Sequence, residues 1–434
     1  MEFSKHRVVF NKGFGSTMED VLLPNEIELF VQTMEPQNIK DIGSERWVDW
    51  HNRVQKLNQQ AAVEAACLKE EQVKETLVAF GKVKCLVHEV ILINIWKNKV
   101  LPNMLKLKPD PESTFLAYSI LYHEGVCVSL LELVVYHMNC CETLDEASVD
   151  LLDYVCGSIS QLLNFKHEEQ GKQESAKDEL FRQRSNLSFE IGIRSLSILR
   201  YLAEHFDRLP ITVCSHIYTI HDVPILLTEI LRIRPWVKGC KQFAGGKWKN
   251  WDQEQLVQAE AQVWLTLRFI LLDSECSHYY SITQSRRTQL CMLLHLMVPS
   301  LLDQLAPLVD LKYWLCKLTS LQEYAAPPKP LLVETIMEIK ENILAECKSS
   351  WKKIAKQQVG IVFSQNRELL QEVAKKLTDA YNTDLLEQFD VKDAASCKQC
   401  GNSAIQRCSR CKTAWYCSRA CQVADWPKHK ENCP

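Results

Sequence analysis

The segment "CKQCGNSAIQRCSRCKTAWYCSRACQVADWPKHKENCP", from Cys397 to Pro434, holds seven of the chain's 19 cysteines in 38 residues. A segment this short cannot bury enough apolar surface to hold itself together, so a cross-link of some kind must. Its cysteines come in spaced pairs. Cys397-x2-Cys400, Cys408-x2-Cys411 and Cys417-x3-Cys421 are followed by His429-x3-Cys433. A structural zinc ion takes four tetrahedral sulfur or nitrogen donors. Residues four apart share one face of a helix, which suits the C-x3-C and H-x3-C pairs. Pro427 is expected to mark a break between those helical turns. Eight donors in four pairs imply two Zn2+, and spacing alone leaves sequential and interleaved pairings both open. Disulfides would leave the histidine without a role. With both shells filled by protein, no position remains for a catalytic water.

The rest of the sequence has a different character. Apolar residues make up 46% of 434, the net charge is −3, and there are only 13 glycines. Glycine averages roughly 7% in globular chains, so the scarcity fits long helices rather than a turn-rich β protein. Near-neutral charge gives no global attraction to nucleic acid or membrane. In the tail, seven Lys/Arg face two Asp/Glu. Seven thiolates and two zinc ions would bring the module to a net charge of about +2, a weak basis for phosphate binding. Twelve further cysteines lie between Cys67 and Cys347, most in apolar helical stretches where free cysteine acts as a small buried hydrophobe. No run of 18 uninterrupted apolar residues occurs, so no membrane span is expected. No apolar signal-type run opens the chain. These features suggest a soluble protein of a reducing compartment, cytosol or nucleus.

Helical spacing recurs from about residue 24 onward, in "ERWVDWHNRVQKLNQQAAVEAACL", between Leu77 and Met104, and over about 114–138, 144–164 and 178–206. "NFKHEEQGKQESAKDE" reads as a solvated loop merging into a helix start. "RPWVKGCKQFAGGKWKNWDQEQL" reads as an internal loop whose tryptophans pack at the edge of the core. No alternation of period two is evident before the tail. The expected fold is all-α: an irregular helical array, either an armadillo/HEAT-like α-solenoid or a bundle, with a small two-zinc finger. The expected divisions are a loose extension over 1–17, the array over 18–324, long amphipathic helices continuing the array over 325–390, and the finger over 397–434.

Tyr416 stands directly before Cys417, and Trp426 precedes His429. With these aromatics, the eight ligand positions resemble the MYND zinc finger. The resemblance implies interleaving: Cys397, Cys400, Cys417 and Cys421 on one ion; Cys408, Cys411, His429 and Cys433 on the other. It also implies a peptide dock, with Trp415 and Gln422 as candidate contacts if they are exposed. MYND fingers also occur in lysine methyltransferases, but no "NHSC"-like segment or glycine-rich methyl-donor loop lies upstream.

The segments "LPNEIE", "IGSERWVDWHNRVQKLNQQA", "GKVKCLVHEVILINIWKNKVLP", "FEIGIRSLSILRYL", "QVWLTL", "LLDQLAPL" and "WKKIAKQQVGIVFS", in that order, resemble a family of dynein arm assembly factors. Those are helical chains with one C-terminal MYND finger. The match runs from about Met18 to the end. It implies a non-enzymatic adaptor for cytoplasmic pre-assembly of ciliary and flagellar axonemal dynein arms. The implied partners are chaperones and co-chaperones, a leucine-rich-repeat assembly factor docked on the finger, and dynein chains as clients. Centriolar satellites, the centrosome and the apical region of ciliated cells are implied locations.

A nuclear co-repressor adaptor is the alternative, weakened by the lack of a basic cluster of five or more residues. No G-x-S-x-G, P-loop or H-E-x-x-H motif points to an enzyme. His216 and His221 are five apart, which suits a structural role, and the His123–Glu124 pair is expected at a helix end.

Overall fold

The computed structural model describes residues 20–165, 175–251, 255–320, 337–366, 370–371, 397–400, 406–408 and 414–430. The chain divides into two compact units, Met1–Ala380 and Tyr381–Pro434. The expected extension over 1–17, most of the "NFKHEEQGKQESAKDE" segment, the proline cluster at 327–330 and nearly all of 367–396 lie outside the described residues.

The first unit is built from helices. They are α1 (Pro24–Gln32), α2 (Glu45–Cys67), α3 (Gln72–Ala79), α4 (Val83–Ile95), α5 (Leu101–Leu107), α6 (Phe115–Val135), α7 (Met138–Leu144), α8 (Ala147–Leu162) and α9 (Ala176–Glu204). After these come α10 (Ile211–Thr219), α11 (Val223–Ile233), α12 (Gln258–Leu272), α13 (Cys276–Tyr279), α14 (Gln284–Leu296), α15 (Pro299–Gln304), α16 (Leu308–Ser320), α17 (Glu338–Cys347) and α18 (Trp351–Val362). Serine caps mark two of the longest: Ser44 accepts from the Trp47 N–H before α2, and Ser175 from the Asp178 N–H before α9. Between α4 and α5 the backbone makes a π-turn over Trp96–Val100. Pro102, at the second position of α5, cannot donate to the preceding turn, so the ladder widens there.

The core forms where α6, α8 and α12 pack on α9 and where α2 and α4 pack on α6. Helix α6 is long and apolar enough to cross a membrane by length and composition alone, yet 67% of its most apolar window is buried by the rest of the chain. At Gly192 on α9, an added Cβ would lie 2.7 Å from the Leu162 side chain, so glycine is what allows α8 and α9 to approach so closely.

Helices α17 and α18 close the unit rather than extend it. Asp150 on α8 accepts from the backbone N–H groups of Ile339 at 3.3 Å and Lys340 at 3.1 Å, capping the start of α17. Lys340 Nζ reaches Asp153 at 2.7 Å. On α18, Gln358 accepts from Trp96 Nε1 and donates to the Ile39 carbonyl, both at 2.8 Å. In a solenoid each repeat touches only its neighbours. Contacts between residues more than 180 positions apart put this chain on the bundle side of the expected helical array.

Two sequence expectations are corrected here. The segment read as a loop is a meander of three antiparallel strands, β1 (Val237–Lys238), β2 (Lys241–Ala244) and β3 (Lys247–Asn250). Gly245 and Gly246, at φ of 61° and 78°, make the two-residue hairpin turn between β2 and β3. The strands are too short for alternation to register. Phe243 packs edge-on against Phe189 and Trp248 stacks on Phe189, at the core edge as expected, whereas Trp236 is fully buried in the core.

The second correction concerns His123 and Glu124, which lie within α6 and are buried. Glu124 accepts from Lys97 Nζ at 2.7 Å, Tyr154 Oη at 2.9 Å and Asn94 Nδ2 at 3.2 Å. His123 Nε2 lies 3.4 Å from Glu89, and its Nδ1 lies 2.8 Å from His51 Nδ1. Glu89 also accepts from the Gln37 N–H and from Trp50 Nε1. Burial pushes Glu89 up, but hydrogen bonds from His123 and His88 outweigh it and hold the carboxyl at about 2. Burial, then the neighbouring His123, drives His51 well below the usual imidazole range. Cysteines behave largely as expected: eight of the twelve outside the tail are buried, whereas Cys240 and Cys316 are exposed.

Two tests follow from this packing. Gly192→Ala should destabilise the helical unit by about 1–3 kcal/mol, the usual penalty for overpacking, read as a lower urea midpoint. His51 takes up a proton more readily unfolded than folded, so its contribution to stability is present above pH 6.5 and lost as pH falls below it. The midpoint should therefore drop between pH 7.5 and 5, and His51→Gln should flatten part of that slope. An unchanged slope in that variant would show that His51 is not the group responsible.

Candidate metal centre

The second unit is described over 397–400, 406–408 and 414–430. Strands β4 (Gln406–Arg407) and β5 (Trp415–Tyr416) pair antiparallel. Helix α19 (Arg419–His429) follows, capped by Ser418 accepting from the Cys421 N–H. It runs through Pro427 without the expected break. Proline removes one backbone donor, near the end of an 11-residue helix, and its fixed φ is compatible with continuing.

This arrangement brings four sulfurs together. The Sγ atoms of Cys397, Cys400, Cys417 and Cys421 all lie within 4.8 Å of one another. Cys400 and Cys417 are 3.4 Å apart, Cys417 and Cys421 3.4 Å, and Cys421 and Cys400 3.8 Å. No disulfide links them. A zinc ion with arms of about 2.3 Å has tetrahedral S–S edges of about 3.8 Å, so the donor set fits that ion.

Burial pushes the Cys397 thiol up, but the backbone N–H groups of Cys417, Cys400 and Gln399 donate to its sulfur and hold it at about 6. Cys417 is shifted upward, chiefly by its hydrogen bonds with Cys400 and Cys421. A zinc ion bound there would take these groups as thiolates and release their protons.

Of the other expected ligands, Cys408 and His429 are both buried, and Cys411 and Cys433 lie outside the described residues. Lys398 Nζ, between the first two cysteines, contacts His429 Nδ1 at 3.2 Å. The two candidate partner contacts, Trp415 and Gln422, are half-buried. Val423, which sequence reasoning missed, is 64% exposed, and Ala420, Ala424 and Pro427 are exposed with it. The signal was present: Cys421, Asp425 and His429 recur every four residues on the inner face, which leaves Val423 pointing outward.

Residues 397–433 match the model of the MYND finger family. Across its length the chain is 36% identical to the zinc finger MYND domain-containing protein 10 homolog of Drosophila melanogaster, covering 96% of this chain and 99% of that protein. The chain belongs to that family. Two further relatives match over a much smaller share of the chain. Ubiquitin carboxyl-terminal hydrolase 19 of Arabidopsis thaliana is 44% identical over 12% of this chain and 8% of its own length. The SET domain and MYND-type zinc finger protein 6 of Schizosaccharomyces pombe is 40% identical over 12% of this chain and 11% of its own. No solved structure matches the chain. The finger is a zinc-binding, protein-interaction module on a helical adaptor-type chain.

Cys400→Ser and Cys421→Ser should each remove the same ion, seen as an equal drop in zinc per chain. In cobalt-loaded protein, both should erase the same four-thiolate absorption band. Structural zinc contributes on the order of 10 kcal/mol of apparent binding energy, so the finger should unfold around that site while the helical circular dichroism persists. Two variants that deplete different bands would contradict the four-sulfur grouping.

Proposed function

We propose that the chain is a non-enzymatic adaptor for the cytoplasmic pre-assembly of axonemal dynein arms. The finger holds two Zn2+, the second bound by Cys408, Cys411, His429 and Cys433, and it serves as a dock rather than a reaction centre. The observation that carries the reading is the span of the family similarity. It takes in the helical unit as well as the finger, whereas chains of other kinds match over only 12% of the chain. The helical unit then holds a client or a chaperone, and the finger holds a second partner, a leucine-rich-repeat assembly factor. Dynein chains are the clients. Cytoplasm, with centriolar satellites and the apical region of ciliated cells, is the site of action.

A closed four-sulfur shell supports docking over catalysis, because it leaves no coordination position for a substrate. The outward face of α19, with Ala420, Val423, Ala424 and Pro427 beside Arg419 and Lys428, supplies an apolar strip with basic ends. The MYND resemblance implies a proline-containing peptide as the ligand, whose backbone is already ordered and loses little freedom on binding.

The test is an affinity capture of the intact chain from differentiating multiciliated cells, beside a Cys400→Ser chain. Dynein heavy or intermediate chains should be recovered with the intact chain, and the variant should lose a defined subset containing the leucine-rich-repeat factor. Recovery dominated by chromatin proteins, with a nuclear pool on fractionation, would replace this reading with the co-repressor one.

A further inference from the structure

Helix α19 carries ligands of both proposed metal sites at its two ends. Cys421 lies in its first turn, among the four converging sulfurs, and His429 closes its last turn. Midway between them, four residues from each, is Asp425. Residues at this spacing share one helix face. Asp425 points inward and is buried, although an aspartate usually seeks solvent. Its partner is Tyr416, whose side chain is fully buried and whose Oη donates to Asp425 Oδ2 at 2.6 Å. Tyr416 is the last residue of β5 and directly precedes the ligand Cys417. Its ring also meets that of His429 edge-on, with centroids 6.1 Å apart. Lys398, inside the Cys397–Cys400 turn, brings its ammonium to 4.0 Å from the same carboxylate oxygen.

One carboxylate thus receives a hydroxyl from the strand and faces an ammonium from the first cysteine turn. We infer that Tyr416 and Asp425 are positioning residues that couple the two metal sites. Their hydrogen bond sets the height and rotation of α19 against β5. Those two coordinates decide whether Cys421 can reach the first ion while His429 reaches the second. Neither residue ligates a metal; each acts through the helix that carries the ligands. A buried charge-assisted hydrogen bond is short and strong, and it is costly to break because the carboxylate then loses its donor. Losing one ion releases one end of α19, and the brace transmits that loss to the other end. The sites should therefore fill and empty together.

This coupling rests on the two-ion reading of the finger, and the experiment separates the two. Zinc release from the full-length chain into a colorimetric chelator is followed over time, with total zinc per chain measured first. The intact chain should hold two ions and release both in one phase. Tyr416→Phe keeps the ring and removes only the hydroxyl. It should still bind zinc, but release should split into two phases, the faster about tenfold to a hundredfold quicker, the factor by which losing an outer-shell partner typically weakens metal affinity. Asp425→Asn retains an acceptor for the tyrosine hydroxyl and should give a milder split, which keeps the test open should Tyr416→Phe fail to fold. Two ions released in one phase at unchanged rates from either variant would overturn the coupling and leave the two-ion reading intact. A single ion on the intact chain would overturn both.

Discussion

Four sulfur atoms held within 4.8 Å of one another repel as they ionise, and a cation among them converts that repulsion into cohesion. The finger depends on this. Its own core is a handful of buried residues, Cys397, Cys408, Ala414 and Tyr416, with Trp415 and Trp426 packed against them. Two short strands and one helix supply too little apolar burial to stand alone. The ligands are therefore the framework, and the remaining residues hold them in register. Ser418 caps the helix that carries Cys421, and backbone N–H groups prepare the Cys397 thiolate.

The helical unit obeys a different rule. Burial of apolar faces holds it together, and polar groups enter the core only with partners. Glu89 and Glu124 illustrate this. Each lies on a central helix, each is buried, and each gathers donors from other elements. Removing one partner of such a buried pair typically costs 3–5 kcal/mol, because the other charge is left without compensation. The knots therefore specify one arrangement of α2, α4, α6 and α8. Asp150 and Gln358 extend the same logic to the C-terminal helices, which they tie to segments far away in sequence.

Much of this was legible in the residues themselves. Helix periodicity over "FEIGIRSLSILRYL" appears as the second half of α9, and the stretch from Leu77 to Met104 is divided among the end of α3, α4, the π-turn and α5. Ligand spacing identified the tail as a metal module because coordination chemistry demands a fixed count of donors at short range. What escaped was short or nonlocal. The meander at Val237–Asn250 has strands of two to four residues, below the length at which alternation can be seen. His123 and Glu124 looked like a helix end because charged residues seldom lie in a core, and their partners lie on other helices. Pro427 looked like a break, whereas one missing donor near a helix end is readily tolerated.

The sequence by itself determined the class of fold, the place and chemistry of the finger, and the helical content of the rest. Each of these follows from local periodicity or from donor spacing, which act over a few residues. Spacing left the grouping of the sulfurs open, and the structure brings together the four that the MYND resemblance implied; it alone decided that α17 and α18 fold back onto α4, α5 and α8, and that Tyr416 meets Asp425. Those outcomes depend on distances between residues that the chain separates and packing reunites. Two C-x2-C turns are chemically alike, and only the path of the backbone between them assigns each to its partners.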